Sequence, residues 1–256
     1  EQFQEYYRAR EIEMKHMDRL AEIRSKGRFS GKVTNSGIRF ATRQICNFLI
    51  PAHIKEEFKK FDKMSATFEK LAKTGSAEKF VKQLEIDEKG IEEDEQLQNA
   101  DEDIKSSKHS KLLDKIPLEV YKNLDVYSPK FKQMLINIAK EKGNGIVYSS
   151  FVTGEGIGVF TRVLNAIGYH EYVPGTKKLI QSRGATYALI TGAVKSEDRI
   201  KIMKVFNSIE NKNGKFINLL LISSSGAEGL NFKNTRHIHI MEPYWNYSRI
   251  KQLIAR

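Results

Sequence analysis

Residues 130–151 read KFKQMLINIAKEKGNGIVYSSF, and this stretch decides the fold. Phe131, Met134, Leu135, Ile138 and Ala139 share one face of a helix over Lys130–Lys142. Gly143 and Gly145 stop that helix, and Ile146 to Phe151 is an apolar run of strand length. Downstream the same unit recurs, with helix Val159–Ile167, strand Tyr187–Ile190, helix Glu197–Ile209, strands Leu219–Ser223 and His237–Met241, and a last helix from Asn246 to Arg256. Helices and short apolar strands alternating over short connections predict an α/β domain over residues 126–256. Its parallel sheet is covered by helices on both faces, and its functional loops lie at the carboxyl ends of the strands.

Upstream the texture differs. Phe3, Tyr6, Tyr7, Ile12, Met14, Met17, Leu20, Ala21 and Ile23 recur at mainly helical spacing, so Glu1–Lys26 reads as a long amphipathic helix ending near Gly27. Gly31, Asn35 and Gly37 mark a loop, Ile38–Pro51 is an apolar segment closed by proline, and Phe58–Leu84 is again helical. Residues 85–103 hold ten acids and one lysine, a like-charge run expected to stay mobile. Residues 1–125 are thus read as a mainly helical arm carrying this acidic segment as an insertion. The sequence opens at Glu1 inside one helical pattern and stops at Arg256 inside another, as a piece of a longer protein does.

Composition narrows the function classes. No stretch has the roughly 18 to 20 apolar residues that cross a bilayer, and a single cysteine, Cys46, makes no internal disulfide. The net charge is +11 despite the acidic run. Such an excess favours a polyanionic partner through phosphate neutralisation and counterion release, or else merely keeps a surface solvated.

The loops that follow three of the expected strands are rich in small and hydroxyl residues. They are Ser149, Ser150 and Phe151, then Thr191 and Gly192, then Ser223, Ser224, Ser225, Gly226, Ala227, Glu228 and Gly229. Each alone is ordinary turn chemistry. Recurring in register, their hydroxyls and amides suit phosphate oxygens, which accept hydrogen bonds whatever the base.

These residues resemble a known family. Ile146-Val-Tyr-Ser-Ser-Phe151, Thr191-Gly192 with Arg199 and Phe206-Asn207, Ser225-Gly-Ala-Glu-Gly-Leu-Asn-Phe232, Glu242-Pro-Tyr-Trp-Asn246 and Gln252-x-x-x-Arg256 are similar in order and spacing to motifs IV, V and VI of superfamily 2 helicases. The Trp-Asn pair and Arg43-Gln-Ile-Cys-Asn47 resemble the Swi/Snf-like branch. Ile240-Met-Glu-Pro-Tyr-Trp-Asn246 resembles helicases of large cytoplasmic DNA viruses related to the poxvirus early transcription factor small subunit and nucleoside triphosphatase I.

The resemblance implies a RecA-like C-terminal lobe, cut within motif VI, of an ATP-dependent helicase or translocase, with residues 1–125 as its helical insertion. Ser149, Ser150, Phe151, Thr191, Gly192, Ser223, Ser224, Ser225 and Gly226 would meet the nucleic-acid backbone. Glu228, Gly229 and Asn231 would line the nucleotide side of the cleft, and Gln252 and Arg256 would face ATP, Arg256 bracing the γ-phosphate. Ala255 stands where the family usually has glycine, and the family's second arginine, three places beyond Arg256, falls outside this sequence. No Gly-x-x-x-x-Gly-Lys-Ser/Thr segment and no Asp-Glu pair after a strand occurs here. ATP and Mg2+ would therefore be anchored by an N-terminal lobe, without which this chain is expected to be inactive. The other partners implied are DNA or RNA and a viral RNA polymerase, with no membrane, in the host cytoplasm (viral factory) or the virion; apart from the viral likeness, an intracellular setting is expected.

Other residues read more plainly. His237 and His239 alternate with Ile238 and Ile240, placing both imidazoles on one face as packed or hydrogen-bonded groups, with no metal site expected. Trp245 reads as a core anchor of the last helix in preference to a base-stacking face, Cys46 as a small buried hydrophobe, and Phe3, Tyr6 and Tyr7 as helix packing in preference to a base-stacking platform. Two competing readings remain at this point. One is a non-enzymatic nucleic-acid or polymerase docking module. The other is a nucleotide-cofactor enzyme built on Gly154-Glu-Gly156-Ile-Gly158, although Val159 and Thr191 depart from the dinucleotide pattern.

Overall fold

A computed structural model describes residues 2–25, 40–54, 110–152, 155–175, 185–223, 229–242, 250–251 and 254–255. Helix α1 spans Gln2–Ser25 and α2 Phe40–Asn47; two short helices, α3 (Leu118–Lys122) and α4 (Leu124–Tyr127), lead into α5 (Pro129–Lys140). The sheet begins with β1 (Gly145–Tyr148), followed by α6 (Ile157–Ala166), β2 (His170–Glu171), β3 (Thr186–Ile190), α7 (Ser196–Phe206), β4 (Leu219–Ile222) and β5 (His237–Ile240). The strands run in the order β2-β3-β4-β1-β5, and each neighbouring pair is parallel.

Alternation along the strands builds two cores. Val147, Tyr187, Leu219 and Leu221 point to one face, against Val159, Phe160, Val163 and Leu164 of α6 and Phe131, Met134 and Ile138 of α5. Ile146, Ala188, Ile190, Leu220 and Ile222 point to the other, against Ile202, Met203 and Phe206 of α7. All four residues of β4 are therefore buried, each such side chain contributing roughly 1.5–3 kcal/mol. This is the expected parallel sheet with helices on both faces. The first core also takes Phe48, Ile50, Ile54, Leu112, Leu113, Ile116, Tyr121 and Leu124, so it draws on both sides of residue 125.

Local chemistry explains the element ends. The Ser128 hydroxyl accepts from the Phe131 amide at 3.0 Å with Pro129 in the first turn, so α5 starts one residue earlier than the periodicity predicts. The first strand was expected to run to Phe151, but β1 ends at Tyr148, and just beyond it the Ser149 hydroxyl accepts from the Phe151 amide at 3.0 Å and curls the chain. Helix α6 begins at Ile157, two residues before the expected start, and α7 ends at Phe206, followed by a short 3-10 turn over Ile209–Asn211. Strand β2, whose His170 and Glu171 are both exposed, has no apolar signature and was not foreseen.

The long N-terminal helix is present over Gln2–Ser25 and packs on α2, with Glu13 buried and accepting from the Thr42 amide at 3.2 Å. The helix expected at Phe58–Leu84 and the acidic run at 85–103 lie outside the described residues. Two expectations need correction. Cys46 is exposed, one residue from the end of α2. Phe3 and Tyr7 are mostly exposed and pack edge to face on one another at 4.6 Å instead of entering a core. Among the described residues no helix is long and apolar enough to cross a membrane.

Candidate functional site

The register brings the strand exits level. Ile190 pairs with Ile222, Ile222 with Tyr148, and Tyr148 with Ile240. The ladder runs one residue further, with the Ser223 amide donating to the Ile190 carbonyl (3.2 Å), Ser149 to Ile222 (3.1 Å) and Met241 to Tyr148 (2.9 Å). Thr191, Ser223, Ser149 and Met241 thus form one row across the carboxyl edge of the sheet. All four are buried, while Ser150 and Gly192, one residue further out, are half-buried.

A carboxylate organises one end of the row. Glu242 follows β5 and is 1% exposed. One carboxylate oxygen, Oε1, accepts from the Ser149 hydroxyl at 2.8 Å and from the Asn47 side-chain amide, and the other, Oε2, accepts from the Ser150 backbone N–H at 2.8 Å. Its charge is thereby met by three donors, which a buried carboxylate requires. Asn47 in turn accepts from the Lys130 ammonium at 2.7 Å on its Oδ1 and from the Ser128 hydroxyl on its backbone carbonyl. Burial lowers the Lys130 pKa from its ordinary value, and the nearby charge of Glu242 works against that shift. The Arg43 guanidinium lies over the Phe151 ring, 5.1 Å from its centroid.

An arginine holds the other end of the row. Arg199 reaches back from α7 and donates to the carbonyls of Thr191 (2.7 Å), Gly192 (2.9 Å) and Val194 (2.8 Å), clamping the turn after β3 with its planar fork. After β4, Gly229 has a left-handed backbone (φ 71), and among the described residues no atom beyond its chain neighbours lies within 4 Å of where a side chain would project. Asn231 is exposed, and its carbonyl accepts from the Asn207 side chain at 2.9 Å, while Asn207 also accepts from the Lys233 amide at 2.8 Å. Ser224, Ser225, Gly226, Glu228, Trp245, Gln252 and Arg256 lie outside the described residues.

The structure thus brings Ser149, Ser150, Phe151, Thr191, Gly192 and Ser223 to one edge. Sequence reasoning quoted Asn47, Arg199 and Glu242 within motifs without assigning them work. Asn47 and Glu242 are 195 positions apart, and no local pattern announces their bond. The glycine turn has a packing explanation: a Cβ on Gly156 would stand 1.9 Å from the Phe151 carbonyl oxygen. His237 and His239 do share a face, with Nδ1 of one 2.9 Å from Nε2 of the other. Among the described residues no group of three or more His, Cys, Asp or Glu is placed to hold a metal ion.

Comparison with known proteins agrees with the fold. The family model described as "Helicase conserved C-terminal domain" matches residues 130–256. The chain is 37% identical over 130 residues to "Putative ATP-dependent RNA helicase R563" of Acanthamoeba polyphaga mimivirus, covering 51% of this chain and 22% of that protein. It is 32% identical over 179 residues to the "Termination factor NPH-I homolog" of African swine fever virus, covering 58% of this chain and 25% of the relative. A killer-plasmid helicase of Kluyveromyces lactis is 39% identical over 133 residues, covering 52% of this chain and 21% of that protein. The chain therefore spans about a quarter or less of these relatives' length. Through residues 130–256, with a parallel sheet whose polar strand exits share one edge, the chain belongs to the helicase conserved C-terminal domain family.

Proposed function

We propose that this chain is the C-terminal RecA-like lobe of an ATP-dependent nucleic-acid helicase or translocase of a large DNA virus, working in transcription. The observation that carries the reading is the level row of polar strand exits on a helicase-family lobe. Such an edge tracks a sugar-phosphate backbone without regard to base identity. Thr191, Ser223 and Ser149 are buried and shape the turns; the half-buried Ser150 and Gly192, together with Ser224, Ser225 and Gly226, are the residues to touch phosphates. Transcription enters through the relatives named as termination factors, and with it an RNA polymerase partner and a site of action in the infected cytoplasm or the virion.

Gly229 and Asn231 lie on the exposed side of the sheet edge, and the open backbone at Gly229 fits close approach by a nucleotide. Gln252 and Arg256 are assigned to ATP, and Arg256 is the group to steady charge on the γ-phosphate. Mg2+ is assigned to an N-terminal lobe, since this sequence has no Gly-x-x-x-x-Gly-Lys-Ser/Thr segment and no Asp-Glu pair after a strand. ATP hydrolysis would supply the free energy by which two lobes close and open, moving this edge along a strand.

The test joins this chain to the upstream lobe and the residues beyond Arg256, and measures ATP turnover with and without a nucleic-acid strand. Turnover should rise with nucleic acid and fall steeply in Arg256→Ala. Turnover that is absent, or indifferent to the substitution, would leave only a docking module. The chain by itself should bind a single strand with an affinity that drops as salt rises, through released counterions.

A further inference from the structure

We propose that Asn47 is a positioning residue for the phosphate-facing turn: from α2, outside the segment that the family model matches, it holds the Glu242 carboxylate, which in turn shapes Ser149 and Ser150. The inference rests on the nucleic-acid reading of the sheet edge proposed above.

The order of donors and acceptors in this network is determined. Lys130 can only donate, so the Asn47 amide presents Oδ1 to Lys130 and Nδ2 to Glu242. That leaves Oε2 of the carboxylate for the Ser150 N–H and adds the Ser149 hydroxyl on Oε1. The hydroxyl has one proton; its 2.8 Å contact with a carboxylate takes it in preference to the Phe151 carbonyl at 3.1 Å. Its lone pairs then remain for the Phe151 amide, the bond that curls the turn. Each link constrains the next, from the amide of Asn47 to the backbone of residues 149–151.

A second contact reaches the same turn from α2, the Arg43 guanidinium over the Phe151 ring. Helix α2 is itself tied to α1, through Glu13 with both the amide (3.2 Å) and the hydroxyl (3.0 Å) of Thr42, and through Gln2 Nε2 to the Ile45 carbonyl at 2.7 Å. The N-terminal helix pair therefore ends on the turn that meets the strand, and a displacement of that pair is felt there. In a network of this kind polarity matters as much as shape, since each buried group must find its complement.

The test uses the full chain and a labelled mixed-sequence single strand, with binding read by fluorescence anisotropy and folding by thermal melting. Asn47→Asp keeps the shape but turns a donor into an acceptor facing a carboxylate; it should weaken binding roughly tenfold. Adding Glu242→Gln restores a complementary pair with the polarity reversed, and the double variant should recover both the melt and the affinity. Ser150→Asp, which sets a negative charge on the rim, serves as the check on the site itself. Weakened binding in Ser150→Asp with parental affinity in Asn47→Asp would overturn the positioning role alone; parental affinity in Ser150→Asp would sink the nucleic-acid reading beneath it. Should Asn47→Asp fail to fold, the double variant decides, because a chain that melts like the parent yet binds weakly contradicts the proposal.

Discussion

Replacing Gly156 by alanine tests whether the turn after β1 is built by backbone contact. Gly156 caps α6 with φ −100 and ψ −131, and a Cβ added there has no room. The new Cβ would meet the Phe151 carbonyl oxygen at 1.9 Å and its carbon at 2.5 Å. That carbonyl cannot swing away freely, because it accepts from the Ile157 amide at 2.9 Å at the start of α6 and belongs to a residue only 7% exposed. Overpacking of this kind costs about 1–3 kcal/mol, and loss of the Ile157 bond adds about 1 kcal/mol. A total of about 2–4 kcal/mol lowers the melting temperature of a chain of this length by roughly 5–15 °C. Gly158→Ala, two residues on, is the control, since its Cβ meets only the tip of Leu113 at 3.2 Å and the Val152 carbonyl at 3.3 Å. The helix-propensity gain of about 1 kcal/mol offsets that tightness, so Gly158→Ala should melt close to the parent. Melting followed by far-UV circular dichroism compares the two, and equal midpoints for both substitutions would refute the account of Gly156.

Further outcomes follow from the same geometry. Burial lowers the pKa of His237 and His239 from 6.5, with the neighbouring His237 adding to the shift at His239. The unfolded chain then binds more protons below that value, so this contribution to stability is complete above about pH 6.5 and drains away as the pH falls. A His237→Gln/His239→Gln variant should show a flatter denaturation midpoint between about pH 7 and pH 5 than the parent, and an unchanged slope counts against the pair. Asn211, fully buried, donates to the carbonyls of Phe206 and Ile217 at 3.1 Å each and accepts from the amides of Phe216 (2.8 Å) and Ile217 (2.9 Å). Asn211→Ala should therefore cost about 2–4 kcal/mol in urea unfolding, and a loss under about 0.5 kcal/mol contradicts that role. Arg199→Lys removes the fork that grips three carbonyls, so amide exchange of residues 191–194 should quicken while β4 stays protected; unaltered exchange speaks against the clamp.

The sheet was largely legible in the sequence because β1, β3 and β4 are short apolar runs separated by helices with apolar faces. Strand β2 was not, since its His170 and Glu171 are held by pairing with Thr186 and Tyr187 and bury no apolar side chain. The small and hydroxyl residues after β1, β3 and β4 were visible as turn chemistry, and the register supplied what composition lacks, their alignment in one row. Most obscure were the groups that hold the row. A buried glutamate answered by an asparagine from a distant helix carries no periodicity, and Arg199 looks on a sequence like one more charge on the outer face of a helix. Cys46 was misread because residue type alone suggests burial, and its place near the end of α2 leaves it exposed.

The sharing of one core by residues 48–54, 112–124 and 131–164 bears on how the protein can be divided. A version trimmed to the family-matched boundary at residue 130 would keep the whole sheet yet strip Phe48, Leu113 and Tyr121 from beneath α5 and α6. It would also leave Glu242 deprived of its amide partner. Such a piece would present a broad oily surface to water and clump, so the unit that folds is wider than the unit that kinship outlines.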